Sequence, residues 1–197
     1  MRTPKILVMA GSVRAGSTNA RLAALAAKEF ALAEAEVTRI SLAEYPLPLF
    51  DADFATDAGP PRNAVRLKDM LTAHQGIFIA SPEYSASVTP LLKNSIDWIS
   101  RVREHGGPYY AAFKDRVFAI GSASAGAGGG VRSLIALRQI LELGCGALVL
   151  PEEINIGRAG EAFDEMDNLK DENLAVALKA LARRLVDMAR EFARGAA

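Results

Sequence analysis

Apolar residues along this chain gather in short unbroken runs, separated by longer stretches in which they recur every three or four positions. The runs are Ile6 to Ala10, Val37 to Ser41, Ile77 to Ala80, Val117 to Gly121 and Ala147 to Leu150. They are mostly continuous rather than alternating, as expected of strands covered on both faces in a parallel sheet. The spaced stretches predict helices over about Asn19–Ala33, Pro61–His74, Pro90–Val102, Gly129–Leu143 and Asp171–Arg194. In the last of these, Leu174, Leu178, Leu181, Leu185, Met188 and Phe192 form one stripe. Packing of that stripe against a sheet is the better reading, with a short coiled-coil seam the alternative. Thr89 followed by Pro90 reads as a helix start, a hydroxyl cap ahead of proline at the first helical position.

Strand and helix thus alternate, which implies right-handed crossovers and helices on both sides of the sheet. The expected fold is α/β: a flavodoxin-like three-layer sandwich with a five-stranded parallel sheet, as a single domain over residues 1–197. The stretch from Leu42 to Pro61 fits no element. It holds four prolines yet keeps Leu47, Leu49, Phe50 and Phe54, so it reads as a structured loop with a functional or interfacial role. Together with Trp98 on an apolar helix, it suggests a self-association surface; the alternative is that Trp98 belongs to the core.

Composition narrows the partners. The 23 basic and 23 acidic side chains cancel, which argues against a nucleic-acid protein relying on a basic surface and against docking steered by charge. The single cysteine, Cys145, excludes an intramolecular disulfide and a cysteine-rich metal site, and among small neighbours it reads as a buried thiol. The first apolar run is too brief for a signal sequence or a membrane span, so a cytoplasmic protein is expected.

Three small loops leave the carboxyl ends of predicted strands. Gly11-Ser-Val-Arg-Ala-Gly-Ser-Thr-Asn19 follows the first. Between a strand and a helix, such a loop brings backbone N–H groups and hydroxyls close to a phosphate. Ser12, Ser17, Thr18 and Asn19 are candidate donors, and Arg14 can add a bidentate ionic contact. The spacing Gly11-x4-Gly16-Ser-Thr approaches a nucleotide-triphosphate loop, but Ser17 stands where its lysine belongs. No Gly-x-Gly-x-x-Gly fingerprint occurs in this turn, and no cysteine lies there for phosphatase chemistry. The second loop is Ser81-Pro-Glu-Tyr-Ser-Ala86. Pro82 stiffens it, Tyr84 offers a ring face and a hydroxyl, and Ser85, Ala86 and Ser87 leave N–H groups beside little bulk. A flavin ring needs such donors where charge collects on reduction. Glu83 is placed to orient the loop by accepting backbone hydrogen bonds. The third loop, Gly121 to Gly130, would flank the same crevice, with Ser124 and Gly126 as contacts. An ordinary capped turn is the alternative for the first loop, a tight surface turn for the second, and mere flexibility of the glycines for the third. His74 and His105 read as solvent-facing or capping residues, and no acid–base residue is singled out.

The chain resembles the NADPH-dependent FMN reductases, the flavodoxin-like group that includes chromate and quinone reductases. The resemblance rests on residues 11–19, on Pro82-Glu-Tyr-Ser-Ala-Ser87 continuing into Leu92-Lys-Asn-Ser-Ile-Asp-Trp-Ile-Ser-Arg101, and on Ser124-Ala-Gly-Ala-Gly-Gly129 and Leu137-Arg-Gln-Ile-Leu141. It implies FMN as cofactor, its phosphate on Ser12, Arg14, Ser17 and Asn19 and its ring along Pro82, Glu83, Tyr84 and Ser85. It implies NADPH or NADH as reductant and a quinone, free flavin, azo compound or metal oxyanion as electron acceptor, in a ping-pong cycle. It also implies a homodimer or homotetramer. A flavodoxin-type carrier, or an FMN-binding protein without nicotinamide turnover, is the alternative. The chain departs from the family at Ser85, where asparagine is usual, at Ala86, where glycine is common, and at Ala125, where proline or methionine is common.

Overall fold

The five apolar runs form one parallel sheet in the computed structural model, which describes residues 3–53, 59–103 and 107–195. Chain order gives β1 (Lys5–Ala10), α1 (Thr18–Leu32), β2 (Glu36–Ser41), α2 (Arg62–Thr72), β3 (Gly76–Ala80), α3 (Pro90–Arg101), β4 (Val117–Ala123), α4 (Val131–Gln139), β5 (Leu148–Ile156) and α5 (Glu172–Gly195). The strand order is β2-β1-β3-β4-β5 and every pairing is parallel. The flavodoxin-like sandwich is therefore the observed fold.

Alternate residues of the central strands face opposite layers. Ile6, Val8, Phe78, Val117 and Ala119 pack with Leu22, Ala26 and Phe30 of α1 and with Leu178, Leu181 and Leu185 of α5. Leu7, Met9, Ile77, Ile79, Phe118 and Ile120 pack with Leu67 and Leu71 of α2, Leu92 and Ile96 of α3, and Leu134 and Leu137 of α4. Burial on both faces is why these strands read as unbroken apolar runs. The stripe on α5 seals one layer, with Leu174, Met188 and Phe192 at its margin, so the sheet rather than a coiled-coil partner takes it.

Three expectations need correction. Trp98 is fully buried with Ala64 and Val102, edge-on to Phe50, and its indole N–H donates to the Pro48 carbonyl at 2.8 Å. It is core and anchors the proline-rich loop from below instead of offering a surface. The last strand does not stop at Leu150 but continues to Ile156. Between Val149, opposite Phe118, and Glu153, opposite Ile120, it sets three residues, Leu150, Pro151 and Glu152, against the single Ala119 of β4. A bulge on an edge strand accommodates Pro151 and the two glutamates, which broke the apolar pattern. Arg138 holds that bulge, donating to the Leu150 carbonyl at 2.9 Å and to Glu153 at 3.2 Å. Finally, α4 begins two residues later than expected, because Gly129 and Gly130 sit at φ 62° and 81°, and it closes in a π-helical turn over Ile140–Gly144.

His74 caps rather than faces solvent: its ring Nδ1 lies 2.6 Å from the Met70 carbonyl and the residue is buried. Burial lowers its pKa, against a smaller upward pull from that carbonyl. His105 and Phe54 lie outside the described residues. Cys145 is buried as expected, and burial pushes its thiol up to about 11. Among the described residues no helix is long and apolar enough to cross a membrane.

Candidate cofactor site

The winding of the chain reverses between β1 and β3: β2 lies to one side of β1, and β3, β4 and β5 follow on the other. Loops leaving the carboxyl ends of strands at such a point open a crevice, the usual ligand position in open α/β sheets and in flavodoxin itself. Three loops meet there. Loop A joins β1 to α1, loop B joins β3 to α3, and loop C joins β4 to α4.

Their backbones are stitched together by the sheet and by three side chains. Gly11 N–H donates to the Ala80 carbonyl at 2.8 Å and Ser81 N–H to the Gly121 carbonyl at 2.7 Å, extending the ladder beyond the strands. The Thr89 hydroxyl donates to the Gly11 carbonyl at 2.6 Å while accepting from Leu92 N–H, so the cap of α3 also ties loop B to loop A. The Asn19 amide exchanges two hydrogen bonds with the Ala123 backbone, at 2.8 and 3.0 Å. Thr18 adds its hydroxyl to the same carbonyl at 3.2 Å. Gly11 lets this junction close tightly: a Cβ there would stand 3.1 Å from the Leu92 side chain and 3.3 Å from Pro82, so both would have to give way by a few tenths of an ångström.

Loop A carries the anion-binding chemistry. Ser17 is the N-cap of α1 and its hydroxyl accepts from Ala20 N–H at 3.4 Å, which leaves the hydroxyl proton to donate. The N–H groups of Thr18 and Asn19, in the first helical turn, have no acceptor within the helix. The Asn19 side chain is engaged with Ala123, so the donor that Asn19, one of the residues expected at the phosphate, offers an anion is its backbone N–H. Ser12 accepts from Arg14 N–H at 3.3 Å. Arg14 is exposed, and among the described residues its guanidinium hydrogen-bonds to the Ala15 and Gly16 carbonyls, at 3.4 Å each. Contacts that long are readily exchanged for a charged ligand.

Loop B is a two-residue turn. Tyr84 and Ser87 exchange backbone hydrogen bonds, each 2.9 Å, across Ser85 and Ala86. Both central residues have positive φ, 48° and 62°, the signature of a type I′ turn, which favours Asn and Gly. Two of the three positions where the chain departs from the family pattern, Ser85 and Ala86, are thus the ones in this turn that carry left-handed backbone. Pro82 is buried behind the turn and Tyr84 is half exposed. Glu83 turns toward α4: its carboxylate accepts the Arg132 backbone N–H at 3.2 Å and the guanidinium Nε at 2.8 Å, and pairs with the second guanidinium nitrogen. The bond from the Arg132 side chain holds the Glu83 carboxyl below its ordinary range.

Loop C lies flat against the end of β5. Ser124 donates its N–H to the Ile156 carbonyl and accepts from Ala159 N–H, each at 3.0 Å, and the Gly126 carbonyl accepts from Gly129 and Arg158. A Cβ on Gly129 would press within 3.0 Å of the Ile156 and Gly157 nitrogens.

A phosphate monoester fits loop A: hydroxyls, helix-start N–H groups and one loosely held arginine form an anion-binding set. Loop B fits the edge of a flat heteroaromatic ring, because neither Ser85 nor Ala86 N–H is used within the turn. Sequence reasoning singled out loops A, B and C, which the fold brings together. It missed Arg132 and Thr89 as the residues that fasten loop B. Thr89 carried a signal only as a helix cap, and Arg132 carried none, since its partner lies 49 positions away. No cluster of side chains among the described residues has the make-up of a metal site.

Comparison with known proteins agrees with this architecture. The sequence profile of the NADPH-dependent FMN reductases matches residues 4–161. A quinone reductase of Escherichia coli K12 is 35% identical over 138 residues, 70% of this chain and 69% of that protein. An NAD(P)H-dependent FMN reductase of Pseudomonas aeruginosa is 34% identical over 170 residues, 85% of each. Among solved structures, the flavoenzyme NAD(P)H:(acceptor) oxidoreductase FerB of Paracoccus denitrificans superposes with a TM-score of 0.76 at 26% identity, covering 96% of this chain and 99% of that one. With its sheet, its loops and its sequence in agreement, the chain belongs to the NADPH-dependent FMN reductase family, an oxidoreductase working with FMN and NAD(P)H.

Proposed function

We propose that the chain carries electrons from a reduced nicotinamide nucleotide to a small-molecule acceptor, a quinone first among them, through FMN seated in the crevice of loops A, B and C. The observation that supports this most is the joining of an anion-binding helix start to a ring-edge turn by the Thr89–Gly11 bond, with the Asn19 bonds tying the same helix start to loop C. When bound, FMN supplies the two-electron chemistry, taking hydride from NAD(P)H and passing reducing equivalents on. The protein's part is to hold and to polarise. Ser12, Arg14, Ser17 and the Thr18 and Asn19 N–H groups bind the phosphate. Ser85 and Ala86 N–H groups oppose the negative charge that collects at the ring edge on reduction. Tyr84, Ser124 and Gly126 border the ring, and no side chain is needed as acid or base.

Donor and acceptor then use one open face in turn, a ping-pong cycle. Anaerobic stopped-flow tests this directly: NADPH or NADH should bleach the FMN-loaded protein within the turnover time, and a quinone should restore the colour. A protein that stays oxidised with both nucleotides would be a carrier. Arg14→Ala should weaken FMN binding at least tenfold while leaving riboflavin binding near wild type, as read by flavin fluorescence; unchanged FMN affinity removes loop A from the phosphate site.

A homodimer or homotetramer is part of the proposal. Val131, Ile135 and Leu143 recur every four or eight positions along α4 and its π-helical turn, with Ile135 63% and Leu143 81% exposed. That stripe adjoins loop B through Ser87. Light scattering of the purified protein reads the assembly. The cytoplasm, where reduced nicotinamide nucleotides are supplied, is the compartment proposed.

A further inference from the structure

The start of α4 lacks a cap of its own. Its N-cap is Gly130, which has no side chain to offer, and no acidic residue stands in its first turn. Glu83 supplies that carboxylate from loop B, at the end of the helix where a negative charge is stabilised. Both oxygens are occupied, one by the Arg132 N–H and the other by the guanidinium. The Glu83 side chain is 11% exposed, whereas that of Arg132 is 68% exposed.

One residue further on, Tyr84 closes the turn with Ser87 around two left-handed non-glycine residues. Such a turn costs conformational energy and persists where its surroundings over-determine it. Here the far end is tied down by the Thr89 hydroxyl on Gly11. The near end is tied down by Glu83 on α4. Arg132 also neutralises a carboxylate that would otherwise stand beside the place where the ring gains negative charge.

We propose that Glu83 is a positioning residue: gripped by the start of α4 and by the Arg132 guanidinium, it holds the Ser85–Ala86 turn in its left-handed form and so aims the two turn N–H groups at the flavin ring. The inference rests on the FMN reading above and assigns Glu83 an indirect role, acting through the turn rather than on the cofactor. Arg132 becomes its necessary partner.

The test uses the full chain with FMN and with riboflavin, which has the ring but no phosphate. Glu83→Gln and Arg132→Gln should each weaken both flavins by about tenfold, the loss expected of one charge-assisted contact, and should shift the midpoint potential of bound FMN in the same direction. The ratio of FMN to riboflavin affinity should stay at its wild-type value, in contrast to Arg14→Ala, where it collapses. The double variant should be no worse than either single one, because the two residues act as a unit. Arg132→Gln leaves the Glu83 carboxylate on the α4 backbone, so it carries the test should Glu83→Gln fail to fold. Wild-type affinity and potential in either folded single variant, or losses that multiply in the double variant, overturn the proposal. Failure of the wild-type protein to bind either flavin would instead bring down the FMN reading, and this inference with it.

Discussion

Ala86 occupies a backbone conformation that L-residues adopt at a cost of roughly 1–2 kcal/mol. Glycine would avoid that cost but gives back part of it through greater freedom in the unfolded chain. Ala86→Gly should therefore stabilise the protein by about 0.5–1 kcal/mol, raising the melting temperature by roughly 2–4 °C per kcal/mol, as followed by calorimetry. No gain would mean that the turn is not left-handed in solution. The sequence allowed Ser85 and Ala86 to be placed beside a ring and marked as departures. It did not show that both sit at positive φ, because turn geometry depends on the Tyr84–Ser87 pairing and on anchors far along the chain.

At the scale of elements, Asn19 was legible as a candidate site residue, but the structural work of its side chain was not. Its position after Ser-Thr at a helix start drew attention, but its amide stitches α1 to the end of β4 across 104 positions, a pairing no local pattern displays. Asn19→Ala leaves the Ala123 N–H buried without its acceptor, so it should cost about 2 kcal/mol and lower FMN affinity as loops A and C part. A melting temperature within a degree of wild type would contradict that role. The strands with apolar residues on both faces and the helices with clear stripes were read almost to the residue. The misreadings fell where a tertiary partner decides: β5 runs on past Pro151 because Arg138 supports its bulge, and α4 starts late because two glycines turn left-handed first.

Over the whole molecule, the fold class followed from the alternation of runs and stripes, whereas the burial of individual polar groups did not. His74 is the case with a measurable consequence. Burial lowers its pKa from the ordinary 6.5, the Met70 carbonyl and Glu36 partly opposing and Lys5 assisting. The unfolded chain then binds the proton more readily than the folded one. Its contribution to stability is complete above pH 6.5 and is lost as the pH falls below that value toward the folded-state pKa. Melting temperatures between pH 7.5 and 5.5 should fall more steeply for wild type than for His74→Asn; equal slopes would mean that the ring titrates freely in the fold.

The buried thiol of Cys145 bears on how such an enzyme survives its own chemistry. Reduced flavins left without an acceptor react with dioxygen and shed peroxide into their immediate surroundings. A cysteine reacts with peroxide through its thiolate, which attacks the peroxide oxygen, and a group that deprotonates only near pH 11 and lies beneath the surface offers almost none at neutral pH. The chain's lone sulfhydryl is thereby spared the oxidant that idle turnover would generate.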